Sequence, residues 1–149
     1  MADELDTVYA LTQVSSLVQG TLERRASEHG ISLIQTRLLG TLRDRKPTVN
    51  ELALLLGLDK SSTSGLVDRA ERRCLVRRLP SQIDRRSVRV SLSAEGRTLV
   101  EAITADFEAD IAAIVEPLDP LERATVAALL SRMLVAHATG RGVELSTIP

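Results

Sequence analysis

Apolar residues recur with a helical period along nearly the whole chain, and one short stretch breaks the rule. Leu5, Val8, Tyr9, Thr12, Val18 and Leu22 fall near one face of a helix from about Glu4 to His29, and Gly30 supplies a left-handed stop. Ser32 with Gln35 reads as a capping box that opens a second helix through about Arg45, carrying Leu38, Leu39 and Leu42 and ended by Pro47. Thr48 with Glu51 is another such box, starting a short helix with Leu52, Ala53, Leu55 and Leu56 that stops at Gly57. Asp59 caps a fourth helix running to about Arg73. After Cys74 the period changes to two. Val76 to Leu79 predict one strand, and Val88, Val90 and Leu92 alternate with Ser87, Arg89 and Ser91 in a second. The polar, proline-led segment from Pro80 to Arg86 between them predicts a hairpin tip.

Two long helices close the pattern. Ser93 caps one through about Val115, with Leu99, Ile103, Phe107, Ile111 and Ile114 on one stripe. Asp119, Pro120 and Glu122 form a cap with proline in the first turn, starting a last helix to about His137; residues 140–149 read as a loose tail. A length of 149 residues suits one domain, and there is no internal repeat or interdomain linker. The fold class expected is mainly α with a small β-hairpin. The central segment cannot cover the apolar stripes of the two end helices, residues 1–30 and 116–138, so these are expected to pack on each other and on a second copy as dimerisation helices. Residues 94–115 form the connecting helix.

Composition narrows the chemistry. A single cysteine, Cys74, excludes an internal disulfide framework, and with His29 and His137 the only histidines no metal site of the usual Cys/His kind can be assembled. No cofactor is expected. Neither histidine has a Ser, Cys or Asp at a spacing that suggests a triad, so the chain does not read as an enzyme. The longest uncharged run, Thr7 to Leu22, is rich in Thr, Ser and Gln, which predicts no membrane span or signal peptide and a cytoplasmic protein. Tyr9 and Phe107 are the only aromatic residues, too few for recognition of single strands by stacking.

Net charge becomes informative once it is divided along the chain. Residues 60–97 hold ten basic against four acidic residues, while residues 98–149 hold three against eight. A basic middle between acidic ends fits a segment built to meet a polyanion.

That segment carries a motif. Two helices joined by the turn Gly57-Leu58-Asp59 match a helix-turn-helix. Thr63, Leu66, Val67, Ala70 and Cys74 form the buried stripe of its second helix, which makes Cys74 a small core residue. The other side carries Lys60, Ser61, Ser62, Ser64, Gly65, Asp68, Arg69 and Arg72. Small hydroxyls and a glycine are poor helix formers, but they let a helix end sink into a groove, where its dipole and unpaired N–H groups meet phosphate. Ser and Thr hydroxyls bond bases or phosphates, and arginines reach guanine or backbone. The hairpin follows at once, with Arg77, Arg78, Arg85, Arg86 and Arg89 on or beside it and Arg85 and Arg86 at its tip. Guanidinium groups on such an arm suit a narrow, electronegative minor groove. The combination is a winged helix-turn-helix, with a DNA-binding core over residues 32–93 and a wing at 76–92.

These residues resemble a known family. Glu51-Leu52-Ala53, Gly57-Leu58-Asp59-Lys60-Ser61, Leu66-Val67-Asp68-Arg69, Leu75-Val76-Arg77-Arg78, Asp84-Arg85-Arg86 and Leu92-Ser93-Ala94-Glu95-Gly96 are similar to the pattern of the MarR (multiple antibiotic resistance regulator) family of bacterial transcription factors. The resemblance implies a homodimer that presents two winged helices to a pseudo-palindromic operator in double-stranded DNA. It implies a repressor, released by a small aromatic or anionic effector bound between the dimer helices and the winged helix. Carried over to this chain, Ser61, Ser62, Ser64 and Arg69 would read the major groove and Arg85 the minor groove. Arg86 would pair with Asp59 or Asp68 to hold the wing. The family commonly has glycine where Cys74 stands, which implies a strained helix stop. The competing reading is a winged-helix module for protein or RNA contacts without operator binding.

Overall fold

The computed structural model describes residues 5–80 and 87–141. Among them the order is α1 (Thr7–Glu28), α2 (Leu33–Thr41), α3 (Val49–Leu56), α4 (Lys60–Arg72), β1 (Val76–Pro80), β2 (Val88–Leu92), α5 (Ala94–Ile114) and α6 (Pro120–Arg141). This is the mainly α, winged helix-turn-helix class. Each helix begins where the sequence supplies an acceptor for its orphan N–H groups. Ser32 Oγ accepts from the Gln35 amide at 3.3 Å while Gln35 Oε1 accepts from the Ser32 amide at 2.9 Å. Thr48 and Glu51 repeat the exchange at the start of α3, and the Thr48 N–H holds the Glu51 carboxyl below its ordinary range. Gly30 and Gly57 adopt left-handed backbone, as their positions after helices require.

Three boundaries differ from the sequence pattern. The second helix stops at Thr41 rather than near Arg45, and the chain before α3 is extended because residues 47 and 48 are used elsewhere. The Pro47 carbonyl accepts the Val90 amide at 2.8 Å and Thr48 bridges Arg89, so this loop runs along the outer edge of β2. Pro80 pairs with Val88 at the end of the hairpin ladder, inside the strand rather than in the tip; at a strand end its missing N–H costs nothing. The last helix reaches Arg141, past the Gly140 expected to open the tail, and residues 142–149 lie outside the described residues.

Leu38, Leu39, Leu52, Leu66, Val67, Val76, Val90, Val100 and Ile103 are the fully buried centre, drawn from α2, α3, α4, both strands and α5. The first helix is fastened to α5 by charge: Arg25 donates to both oxygens of Asp110 at 2.7 Å and Arg24 adds a third contact at 2.8 Å. These hydrogen bonds raise the Arg25 pKa and lower that of Asp110. Beyond those anchors the apolar side chains Val8, Tyr9, Val14 and Leu17 of α1 remain exposed. So do Leu121, Leu129, Leu130, Met133 and Leu134 of α6.

Cys74 departs from the core position that helical spacing predicts. Its φ is 58°, the only positive value at a non-glycine residue among those described, and the residue is exposed. The Cys74 amide donates to the Glu71 carbonyl and the Leu75 amide to the Ala70 carbonyl, both at 2.9 Å, the paired closure of a left-handed helix end. Turning the backbone left-handed takes residue 74 off the stripe that Thr63, Leu66, Val67 and Ala70 keep buried. An L-residue there carries about 1–2 kcal/mol of strain, part of which glycine would give back as unfolded-state entropy. Cys74→Gly is therefore expected to stabilise the fold by about 0.5–1 kcal/mol, read as a rise in the urea midpoint. A fall would mean the thiol makes contacts worth more than the strain.

Candidate nucleic-acid interface

The second helix of the helix-turn-helix is held from both ends. At its start Asp59 caps with both oxygens: Oδ1 accepts the Ser62 amide at 2.8 Å and Oδ2 the Ser62 hydroxyl at 2.6 Å. The Ser62 hydroxyl and amide together keep the Asp59 carboxyl below its ordinary range. The buried Thr63 hydroxyl donates back to the Asp59 carbonyl at 2.9 Å, so its polar atom is satisfied without solvent.

Around the outer side of α4 the structure brings together most of the residues expected there. Lys60, Ser61, Ser62, Asp68, Arg69 and Arg72 are exposed, and Ser64 and Gly65 are half-buried beside them. Gly65 has no internal justification. A Cβ built on it would meet nothing closer than the Arg69 guanidinium, at an ordinary 3.5 Å, and its φ is not left-handed. A helix-interior glycine costs about 1 kcal/mol against alanine, so its place in the sequence points outward.

The wing is braced to this helix by an arginine that the sequence pattern left without a role. Arg78 on β1 donates to Asp68 Oδ1 at 2.6 Å and to Glu71 Oε2, and its amide donates to Glu71 Oε1 at 3.3 Å. Burial works against the Arg78 charge, but the two carboxylates outweigh it and raise its pKa. Alternation along a strand was the available signal: Arg77 and Arg78 must face opposite ways, and Arg77 is the exposed one, its charge felt by Glu95. Asp68 thus supports the wing through Arg78, while Asp59 is committed to the helix cap. Arg85 and Arg86 lie outside the described residues, and with them the expected Arg86 pairing.

Arg89 takes a different place from the α4 arginines. Its Nη1 donates to the Lys46 carbonyl at 2.8 Å, on the loop before α3. With Arg45, Lys46, Pro47, Glu51, Leu54 and Leu55 it lines an open cleft of about 360 Å³. Arg45 and Lys46 belong to no motif, and the close approach of this loop to β2 is a tertiary fact that the local pattern does not carry. A third group of cations therefore sits at the outer edge of β2, separate from α4 by its described contacts. Among the described residues no cluster of His, Cys, Asp or Glu could hold a metal ion, and no helix is long and apolar enough to cross a membrane.

The sequence model of the MarR family matches residues 29–87, the stretch from the end of α1 to the start of β2. The HTH-type transcriptional regulator PecS of Dickeya dadantii is 28% identical over 127 residues, covering 83% of this chain and 76% of that protein. Among solved structures, wild-type apo MarR from Escherichia coli superposes with a TM-score of 0.76 at 25% identity, over 89% of this chain and 98% of that one. MepR of Staphylococcus aureus, solved as a complex with DNA, superposes with a TM-score of 0.71 at 26% identity, over 89% and 99% of the two chains.

Proposed function

We propose that this chain, similar to the MarR family over residues 29–87 and to PecS over 127 residues, is a dimeric, sequence-specific regulator of transcription that binds double-stranded DNA through α4 and the wing. The observation that carries the reading is the outer face of α4, where Ser61, Ser62, Ser64, Gly65 and Arg69 stand together although only Ser62, through the Asp59 cap, serves the fold. A helix bare of bulk over its first two turns fits the major groove, roughly 12 Å wide, and its arginines reach base edges or phosphate. Arg77 and the wing-tip Arg85 and Arg86 extend the contact towards the adjacent minor groove. Lys60, Arg72 and Arg89 add sequence-independent attraction.

The exposed apolar faces of α1 and α6 support a dimer, residues 1–30 and 116–138 being its contact. Two copies related by a twofold axis would present two α4 helices to an inverted repeat. Repression, with release by a small aromatic or anionic effector, completes the reading. The open groove of about 560 Å³ that Ala94, Glu95, Thr98, Leu99 and Ala102 of α5 form with His29 has room for such a ligand, and the Glu95 carboxylate favours an aromatic over an anionic one.

Selection from a pool of random duplexes tests the whole reading. The expected product is an inverted repeat with half-sites about 10 base pairs apart, bound by a species of twice the chain mass in light scattering. A pool that shows no enrichment, or bound protein of single-chain mass, would remove it.

A further inference from the structure

Serine ordinarily discriminates poorly between base edges because its hydroxyl can donate or accept. At the start of α4 that freedom is gone. The Ser62 proton is directed at Asp59 Oδ2, 2.6 Å away, and the Ser62 amide at Oδ1. The neighbouring Thr63 hydroxyl is buried and spent on the Asp59 carbonyl. What Asp59 and Ser62, both exposed, turn outward is lone pairs only. Further along the same stripe, Arg69 lies back over Gly65, its Nη1 3.5 Å from where a glycine Cβ would stand. Residues 62, 65 and 69 follow one another at helical spacing, so the order along the face is acceptor, bare backbone, donor.

Resting on the DNA-binding reading above, we infer that this order is a polarity code: the Asp59–Ser62 pair selects a base carrying an exocyclic amino group, N6 of adenine or N4 of cytosine. Arg69 donates to a guanine O6/N7 edge beside it. The carboxylate does as much by exclusion as by attraction. It repels the O6 and N7 of guanine and the O4 of thymine, and a hydroxyl turned to donate to them would first have to surrender a charge-assisted bond. It is equally unsuited to phosphate, so Asp59 belongs over base edges and not over the strand backbone. Ser61 and Ser64 carry no such commitment.

The experiment is random-duplex selection with the full-length protein, run in parallel on wild type, Ser62→Ala and Ser62→Thr. Asp59 keeps its cap on the residue 62 amide in all three, and equal melting temperatures confirm intact folds. Each wild-type half-site should contain one base pair whose preference depends on Ser62 and on the exocyclic amino group of its adenine or cytosine, with a guanine within a base pair or so of it. Ser62→Ala should relax that position roughly tenfold, leave the others unchanged, and be rescued by Ser62→Thr. Where adenine is selected, replacing it by purine, which lacks the 6-amino group, should cost wild type about tenfold and Ser62→Ala nothing. A Ser62-sensitive base pair whose adenine or cytosine can lose its exocyclic amino group (purine for adenine, 2-pyrimidinone for cytosine) at no cost to wild type overturns the code while leaving the regulator reading intact. So does a Ser62→Ala profile unchanged at every position, or weakened equally at all. Absence of any selected sequence removes both.

Discussion

Gly96→Ala is expected to cost about 3 kcal/mol of stability, read as a fall of roughly 10 °C in the melting temperature. An added Cβ would stand 1.9 Å from the Leu75 carbonyl oxygen and 2.9 Å from its carbon. Neither atom is the end of a flexible side chain. The same carbonyl accepts the Ser93 amide at 3.1 Å, and the buried Ser93 hydroxyl donates to the Cys74 carbonyl at 2.5 Å. Relief of the clash therefore has to separate the first turn of α5 from the start of β1 and break buried hydrogen bonds worth about 1 kcal/mol each. Those bonds set where the wing leaves the body, so DNA affinity should fall further than the melting temperature alone implies. A loss below about 1 kcal/mol would show that the Leu75 backbone can yield, and that residues 74–75 are less fixed than their hydrogen bonds indicate.

Local chemistry made most of the fold legible. Ser32 with Gln35, Thr48 with Glu51, Asp59 and Ser93 each cap the helix that they announce, because capping is settled by residues three apart. The change from period 3.6 to period 2 after Cys74 located the hairpin. Failures came where a distant element decided. The α2 boundary moved because the Pro47–Thr48 backbone serves as an edge for β2, a pairing across more than forty residues. Cys74 followed helical spacing into the core on paper, but the terminal left-handed turn rotates it out.

The candidate interface was legible in part for the same reason. Residues on one helix share a face by spacing alone, so Ser61, Ser62, Ser64, Arg69 and Arg72 could be grouped from sequence. Charge by itself did not separate an arginine that reaches outward from one that holds two elements together. Arg78 and Arg89 look like Arg77 in composition, yet Arg78 is consumed by Asp68 and Glu71, while Arg89 is turned by one hydrogen bond to the Lys46 carbonyl and keeps its charge for the edge of β2. Burial and partner carboxylates make that distinction, and both are properties of the assembled fold.

The two glycines Gly65 and Gly96 occupy opposite sides of this divide, which makes Gly65→Ala the sharper functional test. Nothing inside the chain crowds a Cβ at residue 65: the nearest atom is a guanidinium nitrogen at 3.5 Å, free to swing away. Alanine should therefore stabilise α4, and with it the fold, by about 1 kcal/mol. The same methyl group would stand on the face proposed to lie against base edges, between Ser62 and Arg69. It would hold the helix off the groove floor and spoil the register of both. Affinity for the selected operator should fall by about ten- to a hundredfold, 1.4–2.8 kcal/mol, while binding to random duplex, carried by phosphate contacts, changes little. Urea denaturation and fluorescence anisotropy on one preparation give both signs. Stability and affinity moving in opposite directions is a result that a merely structural glycine cannot produce. If operator affinity survives alanine, α4 does not approach the bases at residue 65 and the groove contact must be drawn elsewhere on the helix.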